Sequence, residues 1–93
     1  MPTNVFAIAL TTPNQSVENL IERNLKGFYR YNDTLYFVHT DGIAENLAVL
    51  VGLKGENRIP DSSGFVLKMD GYTYSGYTSR SLWDWFREVE KMS

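Results

Sequence analysis

The chain has 93 residues and 10.7 kDa, 43% of them hydrophobic and 14% aromatic, which is one domain's length and excludes both two independent cores and a disordered polymer. With no cysteine, it can hold no disulfide, no thiolate metal site and no cysteine nucleophile. Nine basic side chains against eleven acidic ones and a pI near 5.2 argue against phosphate-driven nucleic-acid binding, and apolar runs as short as 5–10 and 47–51 exclude a membrane span, which needs ~18–20 residues.

Residues 1–4, Met1-Pro2-Thr3-Asn4, lack the basic start of a secretory signal, so a cytoplasmic location is expected. Residues 5–10 form a short apolar run closed by Thr11-Thr12-Pro13-Asn14, which reads as a buried strand ending in a turn. Its two-residue period sets Phe6, Ile8 and Leu10 on one face and the smaller Val5, Ala7 and Ala9 on the other. Both faces are apolar, so protein should cover both: a twin chain or the C-terminal end of the same one.

From a cap at Asn14 or Ser16, Val17, Leu20, Ile21, Leu25 and Phe28 recur at helical spacing, with Glu18 and Glu22 early and Lys26 late. Gly27 stands where a left-handed residue would end that helix. Phe28-Tyr29-Arg30-Tyr31 then turns β-like, Asn32-Asp33 suits a tight hairpin, and residues 34–39 are aromatic and β-branched, giving two antiparallel strands. Thr40 or Asp41 can cap a second helix with the stripe Ile43, Leu47, Leu50 and Val51, closed by Lys54-Gly55. A loop with Pro60, Asp61, Ser62 and Ser63 precedes a fourth strand, in which Phe65, Leu67 and Met69 alternate with Val66 and Lys68. Residues 70–79 are polar but β-prone, a short tail strand or an ordered loop. A last helix starts near Ser79 or Ser81, with Ser81 and Asp84 approximating a capping box and Leu82, Trp85, Phe86 and Val89 as its stripe.

The order strand, helix, strand, strand, helix, strand predicts a single α+β domain over 1–93: a ferredoxin-like βαββαβ antiparallel sheet with two helices on one face and the first strand inside it, followed by the β-prone tail and the C-terminal helix.

His39 is the lone histidine, and with Asp41 beside it in sequence it offers a general-base pair. No nucleophile accompanies them, so a structural histidine and a helix-capping aspartate are the plainer readings. Asp33, Asp61 and Asp70 fall in turns, where the side chain mimics a backbone turn. No compact Asp-x-Asp pattern gathers the oxygens a hard cation needs, so no metal is expected. Residues 71–76, Gly-Tyr-Thr-Tyr-Ser-Gly, lack the strand-to-helix setting of a dinucleotide loop, and no cofactor is expected.

The aromatic side chains carry more. Tyr29, Tyr31, Tyr36, Tyr72, Tyr74 and Tyr77 gather in strands and the segment after the fourth strand. Cross-strand packing, a protein interface and base stacking all suit them, and the acidic charge places nucleic acid last. Trp83-Asp84-Trp85-Phe86 concentrates three large rings that one helix face cannot bury alone. Trp83 therefore packs under the tyrosine segment or meets another subunit, while Trp85 and Phe86 can clamp the helix on the open side of the sheet.

Residues 5–10, the hairpin over 28–38, and Phe65-Val66-Leu67-Lys68-Met69 with its β-prone tail together resemble the small CRISPR-adaptation and VapD-type proteins of ferredoxin-like fold. The resemblance implies a homodimer of two sheets face to face, with the segment after the fourth strand crossing to the partner. In that family an aspartate closing the first strand goes with metal-dependent nuclease activity. Here that stretch is Leu10-Thr11-Thr12, without a carboxylate, so the nuclease role does not carry over.

The sequence thus points to a non-enzymatic dimerisation or interaction module, a homodimer or the partner of another protein. Its expected interface residues are Val5, Ala7, Ala9, Tyr36, Tyr72, Tyr74 and Trp83. The alternatives are a small RNA-directed, toxin-like nuclease using His39 and Asp41 with bases on Tyr29 and Tyr36, and a regulatory small-molecule domain.

Overall fold

The computed structural model describes residues 4–69, 76 and 80–92. Its elements are β1 (Asn4–Leu10), α1 (Gln15–Asn24), β2 (Phe28–Asn32), β3 (Leu35–Thr40), α2 (Ala44–Leu50), β4 (Gly64–Met69) and α3 (Arg80–Met92). All neighbouring strands are antiparallel, in the order β2-β3-β1-β4, so among the described strands β1 is interior and β2 and β4 are the edges. Among the described residues the architecture is α+β: a four-stranded antiparallel sheet with three helices.

The alternation read from β1 divides the core in two. Phe6, Ile8 and Leu10 pack with Tyr36 and Val38 of β3 against Val17 and Ile21 of α1 and Leu47 and Val51 around α2. Seven side chains here are under 2% exposed, Tyr36 and Phe6 being the largest. Val5, on the opposite face, joins Leu82, Phe86 and Val89 of α3, with Tyr29, Phe37, Met69, Trp83 and Trp85 packed around them. The sheet is therefore the middle of three layers, with α1 and α2 on one side and α3 on the other.

Local chemistry sets the boundaries. Asn14, not Ser16, caps α1: its Oδ1 accepts from the Val17 N–H at 3.1 Å, so one of the helix's orphan donors is satisfied. The helix ends earlier than the apolar spacing suggests, at Asn24, with an extended Leu25 as its C-cap. Gly27 is not left-handed. It is small because its carbonyl accepts the His39 N–H at 2.6 Å, and a Cβ there would lie 3.0 Å from the His39 carbonyl oxygen.

The hairpin also differs from expectation. Among the described residues none but glycine takes positive φ, so Asn32-Asp33 does not form a primed turn. Instead the Asn32 Oδ1 accepts the Thr34 N–H at 2.9 Å, an Asx turn, and the β2–β3 register shifts between Arg30 and Asn32. The N-cap of α2 is Ile43, with no side-chain cap bond, so neither Thr40 nor Asp41 serves. Ser62 is the one buried polar residue among those described, and its hydroxyl bonds the carbonyls of Gly52 and Ile59 at 3.1 and 2.7 Å, tying down the loop into β4. In α3, Ser81 lies inside the helix, and its hydroxyl bonds the Tyr29 hydroxyl of β2 rather than forming a capping box.

Candidate functional site

The second face of the sheet is the feature that calls for an explanation. Strand pairing sets Val5 beside Met69 and His39, Ala7 beside Leu67 and Phe37, and Ala9 beside Phe65 and Leu35. All these side chains face the α3 side, because directly paired residues share a face. α3 occupies one end of it. Phe86 meets Phe37 edge-on at 5.1 Å between ring centroids and Trp85 at 5.4 Å, and Trp85 stands 6.2 Å from Tyr29. Those offset geometries are the favourable ones for aromatic pairs.

Beyond α3 the face stays open. Phe65 is 60% exposed and Leu67 55%, with Ala7, Ala9 and Leu35 half-buried beside them. The uncovered apolar area thus runs from the middle of the sheet to its β4 edge. Isolated exposed apolar side chains are ordinary, but a contiguous group on an edge strand is not.

The two edges differ in how they are guarded. On β2, Arg30 pairs with Glu18 at 2.8 Å and with Asp33, and the register shift breaks the regularity of the ladder. Charge and bulges of this kind discourage a second chain from pairing. β4 pairs with β1 over six consecutive residues without a shift, and its single charge is Lys68.

The residues singled out from the sequence fall in different places. Val5 lies under α3, 4% exposed, and Trp83 is half-buried against the same cluster. Ala7 and Ala9 border the open area. Tyr36 is 1% exposed in the helix-side core, so it forms no part of a surface and cannot stack on a base. Tyr29 lies under Trp85. Tyr72 and Tyr74 lie outside the described residues, as does Asp70. His39 is half-buried in β3 on the α3 side, and Asp41 is exposed beyond the strand, lining a hollow of about 230 Å³ with Thr40, Ile43 and Leu50. Among the described residues, no group of three His, Asp or Glu side chains is placed to hold a metal. No described helix is long and apolar enough to cross a membrane.

The sequence reading missed Phe65 and Leu67. Their alternation was visible, but the edge position that exposes them is a property of strand order.

Among the described residues, Tyr36 is the titratable group that its surroundings shift. Burial, and then the Glu18 carboxylate, push the Tyr36 phenol above its ordinary value, while a hydrogen bond from Arg30 pulls the other way. This cluster joins α1 to the hairpin.

No protein-family model, curated protein or solved structure matches the chain.

Proposed function

We propose that the protein is a non-enzymatic self-association module whose two copies join along β4. The observation that carries this is the exposure of Phe65 and Leu67 on an edge strand whose pairing with β1 is unbroken, continuous with Ala7 and Ala9. Edge joining suits this chain better than two sheets meeting face to face, because α3 lies across part of the face. The strand order and the two β-α-β units support a ferredoxin-like plan extended by α3, and two copies would give one continuous eight-stranded sheet.

Magnitudes set the expected strength. Fully burying a large apolar side chain is worth ~1.5–3 kcal/mol, so the exposed portions of Phe65 and Leu67 contribute roughly 4–6 kcal/mol over two copies, with ladder hydrogen bonds added. Association costs at least about 4 kcal/mol. The dimer therefore belongs with the small, reversible interfaces.

Light scattering on a size-exclusion column tests the proposal. The wild type should approach twice 10.7 kDa as concentration rises, and Leu67→Asp should remain at the monomer mass with unchanged circular dichroism. A wild type that stays monomeric at millimolar concentration would refute it.

A further inference from the structure

If two copies meet along β4, symmetry fixes which side chains meet, and the following rests on that reading. Identical antiparallel edge strands are related by a two-fold axis normal to the sheet, so each residue stands opposite one that faces the same side. In β4, Phe65, Leu67 and Met69 face α3, while Gly64, Val66 and Lys68 face α1 and α2. The axis must then pass through a residue rather than between two. Through Val66 it places Phe65 opposite Leu67 and Lys68 opposite Gly64. Through Leu67 it places Phe65 opposite Met69 and Lys68 opposite Val66. An axis through Lys68 would set two ammonium groups against each other, which is unfavourable.

Axes through Val66 and Leu67 each pair five residues of β4, against three for an axis through Phe65, and both of these longer registers put Lys68 of the second copy beside Gly64 or Val66. Those two residues line a groove of about 280 Å³ between β4 and α2. Its helix wall is formed by Ala44 and Ala48, one turn apart and small enough to leave it open, together with Glu45. Glu45 is the only acid among the described residues lining the groove, and it lies exposed with Lys54 at 3.1 Å. We propose that this groove receives the Lys68 side chain of the second copy, whose ammonium shares the Glu45 carboxylate with Lys54. The lysine stem spans the roughly 5 Å between strands and lies along the alanines with its charge at the rim. Symmetry repeats the contact, so one pair of residue types holds the register twice.

The experiment compares dissociation constants, by sedimentation at low salt, for the wild type, Glu45→Lys, and the exchange Glu45→Lys with Lys68→Glu. Glu45→Lys makes the groove wholly basic and should weaken association about tenfold, two symmetric contacts being lost at once. The exchange should restore the wild-type value, and high salt should narrow the differences. Both positions are exposed, and tryptophan emission confirms that each variant is folded. A dimer indifferent to Glu45→Lys, or one the exchange fails to restore, overturns the groove contact while the β4 dimer stands. A monomeric wild type overturns the β4 dimer and the groove contact with it.

Discussion

Phe86→Ala tests how α3 is held. The ring is 2% exposed and packs edge-on against Phe37 and Trp85, with Val5, Leu82 and Val89 around it. Removing a fully buried phenylalanine typically costs ~3–5 kcal/mol, the transfer of the ring plus the cavity left behind. The lower end applies here, because α3 is a single helix on one face and can settle toward the sheet. A domain of this length has a total stability of roughly 5–14 kcal/mol, so about 3 kcal/mol is a large share of it. If the molecule unfolds as one unit, the melting midpoint should fall by ~12–24 °C. If α3 forms a separately opening unit, it should detach before the sheet melts. The two tryptophans of the chain, Trp83 and Trp85, both lie on α3, so their emission reports its docking alone, while far-ultraviolet circular dichroism follows the whole fold. Expected is an earlier, red-shifted emission transition in Phe86→Ala. Unchanged emission and a midpoint within the error of the wild type would refute the claim that this cluster holds α3.

Other positions give sharper local tests. Asn14→Ala removes the cap of α1 and should cost about 1 kcal/mol, read as a lower urea midpoint with an unchanged slope. Gly64→Ala places a Cβ well inside contact distance of the Ala9 carbonyl oxygen, so β1 and β4 must move apart at a cost of ~1–3 kcal/mol, seen as faster amide exchange in β4. Burial holds the Tyr36 phenol above the ordinary 10.0, so the folded state keeps a proton that the unfolded state loses. Its contribution should be complete below pH 10 and decline as pH rises through the folded-state value. A denaturation series at alkaline pH should therefore show a steeper loss in the wild type than in Tyr36→Phe, and equal slopes would contradict the assignment.

Much of this architecture was legible because it depends on local patterns. The alternation of β1 announced two apolar faces, and the stripe Leu82, Trp85, Phe86, Val89 announced a helix able to cover one of them. What stayed hidden depends on spatial neighbours. Gly27 has the look of a helix terminator, yet its size answers to the His39 carbonyl across the hairpin. Tyr36 was expected at a surface because tyrosine tolerates one, but its parity in β3 matches Phe6 and Val38 and sends it inward. Phe65 and Leu67 read only as alternating strand residues until the order β2-β3-β1-β4 puts them at an edge beyond the reach of α3. Propensity fixes which residues form a strand, and long-range pairing decides what each face meets.

Amide hydrogen exchange of β4 as a function of protein concentration examines the central claim most directly. Pairing of two copies along this strand predicts that the outward-facing amides of residues 65–68 gain protection on going from dilute to concentrated solution, while those of β2, at the guarded edge, exchange at the same rate in both. Equal exchange in β4 at the two concentrations, or protection gained at β2 instead, would contradict it.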